Sequence, residues 1–313
     1  MMLNLLQQNK TVVALKRSSS DISKAEKVFS YYNAKDLFKK INWIEGDICD
    51  VLSLEEALKN IETVYHCAGF ISFNDKDHDK LFKINIEGTA NVVNACLTKG
   101  VKALCHVSSV ASLNNADIKT EVDENVFWKA GKYQSSYSVS KYLAEQEVWR
   151  GIEEGLNTVI VNPGVVIGPG PWDQGSGELF PLCHKGFKFY TDGITGYVGA
   201  PDVATAMSKL VDEKFFGERF ILVENNYSFK QIFDWIHTEF KQKTPSIKVG
   251  SAILNIARVC NSVMPFSKKI TKATVTASLS KTYFSNQKIT KTLKFQFSPL
   301  KDCISLTCKA YLS

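Results

Sequence analysis

No glycine precedes Gly46 and no proline precedes Pro163 in this chain of 313 residues. The first absence excludes a glycine-rich phosphate loop from the first 45 residues. Arginine is scarce, standing only at positions 17, 150, 219 and 258, so bidentate clamps on phosphate groups have few candidates. The eight cysteines, at 49, 67, 96, 105, 183, 260, 303 and 308, form no C-x-x-C pair, and no histidine stands at finger spacing. That excludes a zinc finger and a disulfide framework; no metal is expected, and reduced thiols in a cytoplasmic protein are the simplest state. Long apolar runs are missing too. The longest, Ala252 to Phe266, is interrupted by Arg258 and several polar residues, short of the roughly 18 apolar residues of a membrane span. The amino terminus, Met-Met-Leu-Asn-Leu-Leu, has neither the basic region nor the cleavage site of a signal peptide.

Acid is nearly absent from the tail. From Lys241 to Ser313 there are 13 Lys or Arg against the single acid Asp302, whereas the first 240 residues hold 25 bases and 31 acids. An acidic body with a basic tail is open to several readings: an anionic ligand, a membrane surface, nucleic acid, or a solvated lysine-rich face. The solvated face is the simplest. No nucleic-acid partner is expected, and peripheral membrane contact through the basic C-terminal region stays open.

What is present is a globular composition, 44% hydrophobic and 22% charged, with short β-branched runs alternating with longer amphipathic segments. Strands are predicted at Thr11–Leu15, Ile41–Ile44, Thr63–His66, Ala103–Val107 and Thr158–Val161, and helices at Ile22–Lys39, Leu54–Lys59, Asp79–Lys99 and Tyr137–Gly155. Strict alternation implies parallel strands joined by crossovers, hence an α/β, Rossmann-like, doubly wound sheet. After Pro163 a loop rich in glycine and proline begins, where open α/β sheets place ligands. Leu210 and Phe220–Val223 read as a return to the sheet, and the basic segment from Ser246 as amphipathic helices. The dinucleotide-binding part is expected at residues 1–165 and about 196–225. A smaller, mostly helical substrate-binding part is expected at about 166–195 and 226–313.

Met2–Gln8 has the look of the second half of a helix, followed by the strand Thr11–Leu15. In a dinucleotide-binding βαβ unit these are the first helix and the second strand. The chain is therefore expected to lack its first strand and Gly-rich turn, as a clipped or misassigned start leaves it, and so to bind nicotinamide cofactor poorly and be unstable.

The strongest constellation is Tyr137-Ser-Val-Ser-Lys141 on the long helix, with His106-Val107-Ser108-Ser109 at a strand end 28 residues upstream and Pro163-Gly164 at one 26 residues downstream. Tyr and Lys at i and i+4 share a helix face. An ammonium can hold a phenol's pKa down while the phenol exchanges a proton with a substrate oxygen, and a serine hydroxyl can bond the same oxygen. Spacing alone is weak evidence, because a second copy, Tyr31 to Lys35, lies in the predicted second helix; that copy reads as a solvated face. His66 and His106 read as core or hydrogen-bonded histidines, and Trp128 and Trp149 as helix packing. The aromatic stretch Phe180–Tyr190 either lines an apolar pocket or fills the smaller part.

With those residues in hand the chain resembles the extended short-chain dehydrogenase/reductases, the NAD-dependent epimerase/dehydratase family, in its dihydroflavonol reductase-like and 3β-hydroxysteroid dehydrogenase-like branch. The matches run in order through Gly46-Asp47-Ile48, Val64 to Gly69, Asn85 to Thr89 with Asn91, Val107-Ser108-Ser109, Asp123-Glu124 with Trp128, Tyr137 to Lys141 with Ala144-Glu145, Asn162-Pro163-Gly164 to Pro169, and Asp202-Val203-Ala204. The resemblance implies Tyr137 as acid/base, Lys141 on the nicotinamide ribose, Ser109 orienting the carbonyl, and Asn85 beside the active site, structural or in a water relay. It also implies Asp47 and Ile48 on the adenine, Ala68 and Gly69 along the cofactor, and Pro163 to Val166 at the carboxamide. A homodimer fits the family.

At the end of the second strand stand Lys16, Arg17 and Ser18, suited to a 2′-phosphate, where an acid would select NAD. NADP is therefore the expected cofactor, with NAD as the alternative and a solvated basic pair as the plain reading. Ser109-Val110-Ala111 stands where a dehydratase carries Thr-Asp-Glu, which argues against dehydration. The expected activity is carbonyl–alcohol interconversion by hydride transfer on an uncharged or weakly charged alcohol or ketone. The alternatives are a nucleotide-sugar epimerase of the same superfamily and a non-catalytic nucleotide-binding or peripheral membrane protein.

Overall fold

The computed structural model describes residues 1–113, 121–129, 134–254 and 271–313. The chain opens with α1 (Met2–Gln7), β1 (Val13–Lys16), α2 (Ser23–Tyr31), α3 (Lys35–Phe38), β2 (Asn42–Glu45), α4 (Val51–Ala57) and β3 (Thr63–His66). Next, α5 (His78–Leu81), a π turn (Phe82–Glu87) and α6 (Gly88–Lys99) lead to β4 (Ala103–Val107), and α7 (Ser136–Glu153) leads to β5 (Thr158–Pro163). Beyond it come β6 (Val165–Ile167), α8 (Leu179–His184), β7 (Phe189–Tyr190), β8 (Ile194–Gly199), α9 (Ala200–Asp212) and β9 (Glu218–Leu222). After β10 (Asn225–Ser228), α10 (Phe229–Glu239) and β11 (Ile247–Lys248), the described helices are Lys272–Leu279, Gln287–Leu293 and Leu300–Leu312.

The parallel strands form the sheet β3-β4-β5-β9 and the pair β1-β2, and no ladder joins the two groups among the described residues. Side chains alternate faces along each strand, and both faces are covered. On β4 and β5, Leu104 and Ile160 pack with Val92, Val93 and Cys96 of α6 and Val148 of α7. Their neighbours Cys105, Val159 and Val161 pack with Val203, Ala206, Met207 and Leu210 of α9. Burial on both sides explains why β5 reads as a continuous apolar run. Close approach is secured at Gly88, where a Cβ would stand 2.7 Å from Ile48 Cδ1. A third cluster, with Phe180, Tyr197, Phe233, Ile236 and Ile304, lies among β8, α8, α10 and the last helix.

Several predicted elements change. The helix over 22–39 is two helices, because Asn33 takes a left-handed φ of 53° after α2 ends. Tyr31 closes α2 and Lys35 opens α3, so the second Tyr-x-x-x-Lys copy is not a pair on one helix. Leu210 sits on α9 and packs onto the sheet from outside; the return to the sheet is made by β9 alone. The part after Pro163 is not simply helical. It carries the sheet β10-β8-β6 and the parallel pair β11-β7, the second of which begins the segment read as helical from Ser246. The apolar stretch Ala252–Phe266 lies mostly outside the described residues. Among those residues no helix is long and apolar enough to cross a membrane.

Candidate functional site

The sequence-predicted site residues all sit at or just beyond the C-terminal ends of parallel strands, or on the helices that follow, the position where open α/β sheets meet ligands. α7 is started by Ser135, whose side chain accepts a hydrogen bond from Ser138 N at 3.1 Å. That cap puts Tyr137 in the first helical turn and Lys141 one turn later on the same face. β4 ends at Val107, and Ser109 starts the 3-10 turn that follows.

The structure brings these three together. The nearby Ser109 hydroxyl pulls the half-buried Tyr137 phenol's pKa down, while burial pushes it up and wins. Lys141 is buried and donates to the Val107 carbonyl at 2.8 Å. Burial depresses its pKa to about 8, against the opposing pull of Glu145 and Cys67. The ring of Phe73 meets Tyr137 edge-on at 5.7 Å, and Phe73 and its neighbour Ile71 are both exposed. An apolar wall thus stands beside the phenol.

Asn85 lies in the π turn, 2% exposed. Its amide accepts from Phe70 N at 2.7 Å and donates to Phe70 O and to Ser140 Oγ, both at 2.9 Å. The side chain therefore clamps the loop after β3 to α7, one residue from Lys141. A Cβ on Gly69 would stand 3.5 Å from its Oδ1.

At the other group of strands, Lys16 ends β1 and its Nζ stands 3.8 Å from Glu45. Arg17 is exposed and closes a turn with Ser20. Asp47 follows β2 and accepts from Cys49 N at 2.9 Å, and the Ile48 carbonyl accepts from Asn91 at 3.0 Å. Ala68 and Gly69 follow β3, Pro163 closes β5, and Val166 lies on β6, its carbonyl taken by Ser176 at 2.6 Å.

Sequence reasoning named Glu145 only as part of a motif and gave Arg219 no role in the site. Glu145 is 1% exposed and accepts from Ser108 Oγ at 2.6 Å, Ser112 Oγ at 2.8 Å, Asn162 Nδ2 at 2.9 Å and Arg219 Nη1 at 3.1 Å. The available signal was a carboxylate one turn beyond Lys141 on a helix face otherwise turned to the core. The histidines are core residues, as expected. His66 pairs with Thr89 at 3.0 Å, while neither ring nitrogen of His106 has a hydrogen-bond partner among the described residues. Trp128 stacks on Tyr142 of α7 at 4.4 Å.

The sequence profile of the NAD dependent epimerase/dehydratase family matches residues 1–218. Among curated proteins, sterol demethylase protein B of Methylococcus capsulatus is 25% identical over 215 residues, 67% of this chain and 64% of that protein. Cinnamoyl-CoA reductase 1 of Petunia hybrida is 26% identical over 283 residues, 87% of this chain and 77% of that protein. Among solved structures, gox2253 superposes with a TM-score of 0.81 at 24% identity, covering 99% of this chain and 93% of its own. The last likeness shows the fold.

Proposed function

Since this chain belongs to the NAD dependent epimerase/dehydratase family, we propose that it is an NAD(P)-dependent oxidoreductase interconverting a carbonyl and an alcohol. The observation that carries the reading is the convergence of the Tyr137 phenol and the Ser109 hydroxyl, with Lys141 one turn along the same helix face. A sensor or binding module needs none of the three.

The residues at the nicotinamide and adenine ends fit the cofactor. Lys141 spends one donor on Val107 and keeps two for a ribose, and Arg17 is exposed at the strand end where a 2′-phosphate would lie, which favours NADP. Asp47 and Ile48 would face the adenine, Ala68 and Gly69 the length of the dinucleotide, and Pro163 and Val166 the carboxamide.

When bound, the nicotinamide supplies or takes up hydride. The protein's own work is proton handling and positioning. In reduction the Tyr137 hydroxyl gives its proton to the forming alkoxide oxygen while the Ser109 hydroxyl fixes that oxygen's direction. The Lys141 ammonium then stabilises the phenolate left behind. Asn85 holds the loop after β3 against α7 and so sets the floor beneath them. On this reading residues 1–165 and about 196–225 bind the dinucleotide, and the remainder faces substrate.

Reductase is favoured over nucleotide-sugar epimerase by where the arginines point. Arg150 is engaged by Glu147, Glu154 and Asn94, and Arg219 is turned inward onto Glu145 and the carbonyls of Glu124 and Val126. Neither is placed to clamp a diphosphate. The exposed Phe73, whose ring meets Tyr137, suits an apolar, uncharged ketone or alcohol. The test is NADPH oxidation over a panel of ketones, aldehydes and sugar nucleotides, with Tyr137→Phe as control. Turnover should be lost in the variant while NADPH binding is kept; retained turnover refutes the acid/base assignment.

A further inference from the structure

Glu145 is a buried carboxylate surrounded by five donors, one of them Trp149 Nε1 of α7 itself at 3.4 Å. Ser108 follows β4, Ser112 lies in the 3-10 turn after it, Asn162 is on β5 and Arg219 on β9. Two of those partners also hold the backbone of Ser109. Asn162 Nδ2 stands 3.2 Å from the Ser109 carbonyl, and Ser112 Oγ stands 2.7 Å from it. Arg219 carries the connection outward, donating at 2.8 Å to the carbonyls of both Glu124 and Val126. The carboxylate therefore sits at the junction of the turn bearing Ser109, the central strands and the segment 122–126.

Lys141 lies one helical turn before Glu145, on the same face. The groups around its ammonium come from three elements: His66 and Cys67 from the end of β3, His106 from β4, and Tyr137 and Glu145 from α7 itself. Both histidines are driven toward the neutral form by burial and by Lys141. Burial and the Lys141 ammonium act in opposite directions on the Cys67 thiol, and burial wins, favouring the neutral thiol. Among the described residues Glu145 is the one carboxylate that acts on the ammonium.

We propose that Glu145 is a positioning residue, its carboxylate bracing the turn that presents Ser109 and supplying the counter-charge that keeps the Lys141 ammonium protonated beneath Tyr137. The assignment of a catalytic purpose rests on the oxidoreductase reading; the charge relation between the two side chains does not. Without the carboxylate, burial acts on Lys141 against only the smaller pull of Cys67, and the ammonium loses its proton at a pH where the intact protein keeps it. A residue serving only as a packing brace would leave that titration where it was.

The experiment is a pH titration of the protein labelled with ¹³C at lysine Cε, with the Lys141 resonance assigned by its loss in Lys141→Arg. It needs neither cofactor nor substrate. In the unaltered protein the midpoint should lie near 8. Glu145→Gln should lower it by roughly 1 pH unit, the low end of what one opposite charge contributes, whereas Glu145→Asp, which keeps the charge, should restore most of the shift. A midpoint in Glu145→Gln equal to that of the unaltered protein overturns the proposal, and so does a Glu145→Asp midpoint as low as that of the glutamine variant. Should Glu145→Gln fail to fold by circular dichroism, the paired variant Glu145→Gln/Arg219→Met removes both charges together and reads the same midpoint. If Tyr137→Phe retains turnover, the oxidoreductase reading falls while this titration still decides the role of Glu145.

Discussion

His66 and His106 make the protein acid-sensitive in a window that few other groups share. The two rings lie side by side on β3 and β4, centroids 5.2 Å apart, and both are buried. Burial depresses the His66 pKa to about 3, with the Lys141 charge adding to it; His106 is depressed in the same direction by burial, Lys141 and His66. A histidine whose folded pKa lies below its unfolded value of about 6.5 leaves the unfolded chain to bind the proton first. Its contribution to stability is fully present above pH 6.5 and is lost as pH falls toward 3. At pH 5 the loss from His66 is about 2 kcal/mol, 1.5 units at about 1.4 kcal/mol each, and His106 adds to it with the same sign. The carboxyls Glu124, Asp202 and Glu224 have pKa values raised by burial and act in the opposite direction. Thermal melts by circular dichroism at pH 7, 6 and 5 should therefore show a falling Tm. His66→Gln, which keeps a donor for Thr89 and cannot ionise, should recover about 2 kcal/mol of the pH-dependent loss, roughly 3 °C for a chain of this length. Equal pH dependence in the variant and the unaltered protein would refute the reasoning.

Two further perturbations test other parts of the account. Arg17→Glu should shift the ratio of kcat/KM for NADPH over NADH by about 10–100-fold toward NADH, the worth of one charge-assisted contact; an unchanged ratio would remove Arg17 from the cofactor site. At alkaline pH the buried thiols act together, with burial raising Cys96, Cys183 and Cys308 to about 12 and Cys303 to about 11. A raised folded pKa gives stability that is present below the unfolded value near 9 and lost above it, so urea midpoints should fall from pH 9 upward, and Cys96→Ala should flatten that fall.

Much of the sheet was readable because short β-branched runs alternate with amphipathic segments, β4 and β5 being buried on both faces; Thr63–His66 and Ala103–Val107 were placed to the residue. The Tyr137–Lys141 pair was readable because it is local, one turn apart on a helix with a serine cap. What escaped is decided by contacts far apart in sequence or by single backbone angles. The helix break at Asn33 turns on one left-handed residue that helical periodicity passes over. Glu145 looks like any helix glutamate until Arg219, 74 positions later, is folded against it. Leu210 reads as strand or helix equally from composition, and only its packing beneath β5 and β9 assigns it.

These observations assign the site's charge to one group. Between the histidines, held neutral from below, and the Tyr137 phenol, held protonated from above, Lys141 is the ionisable side chain of this cluster left to change state near neutrality, with its pKa at about 8. A phenol buried without a neighbouring positive charge is a poor proton donor, since the phenolate it leaves is not stabilised. On the proposed reading the ammonium must therefore be present when the proton moves. Glu145, 1% exposed, would meet that need from behind, leaving two Lys141 donors for ribose and phenol. Burial that sharpens the electrostatics of the site also works to discharge its one cation, and Glu145 is the group that offsets it.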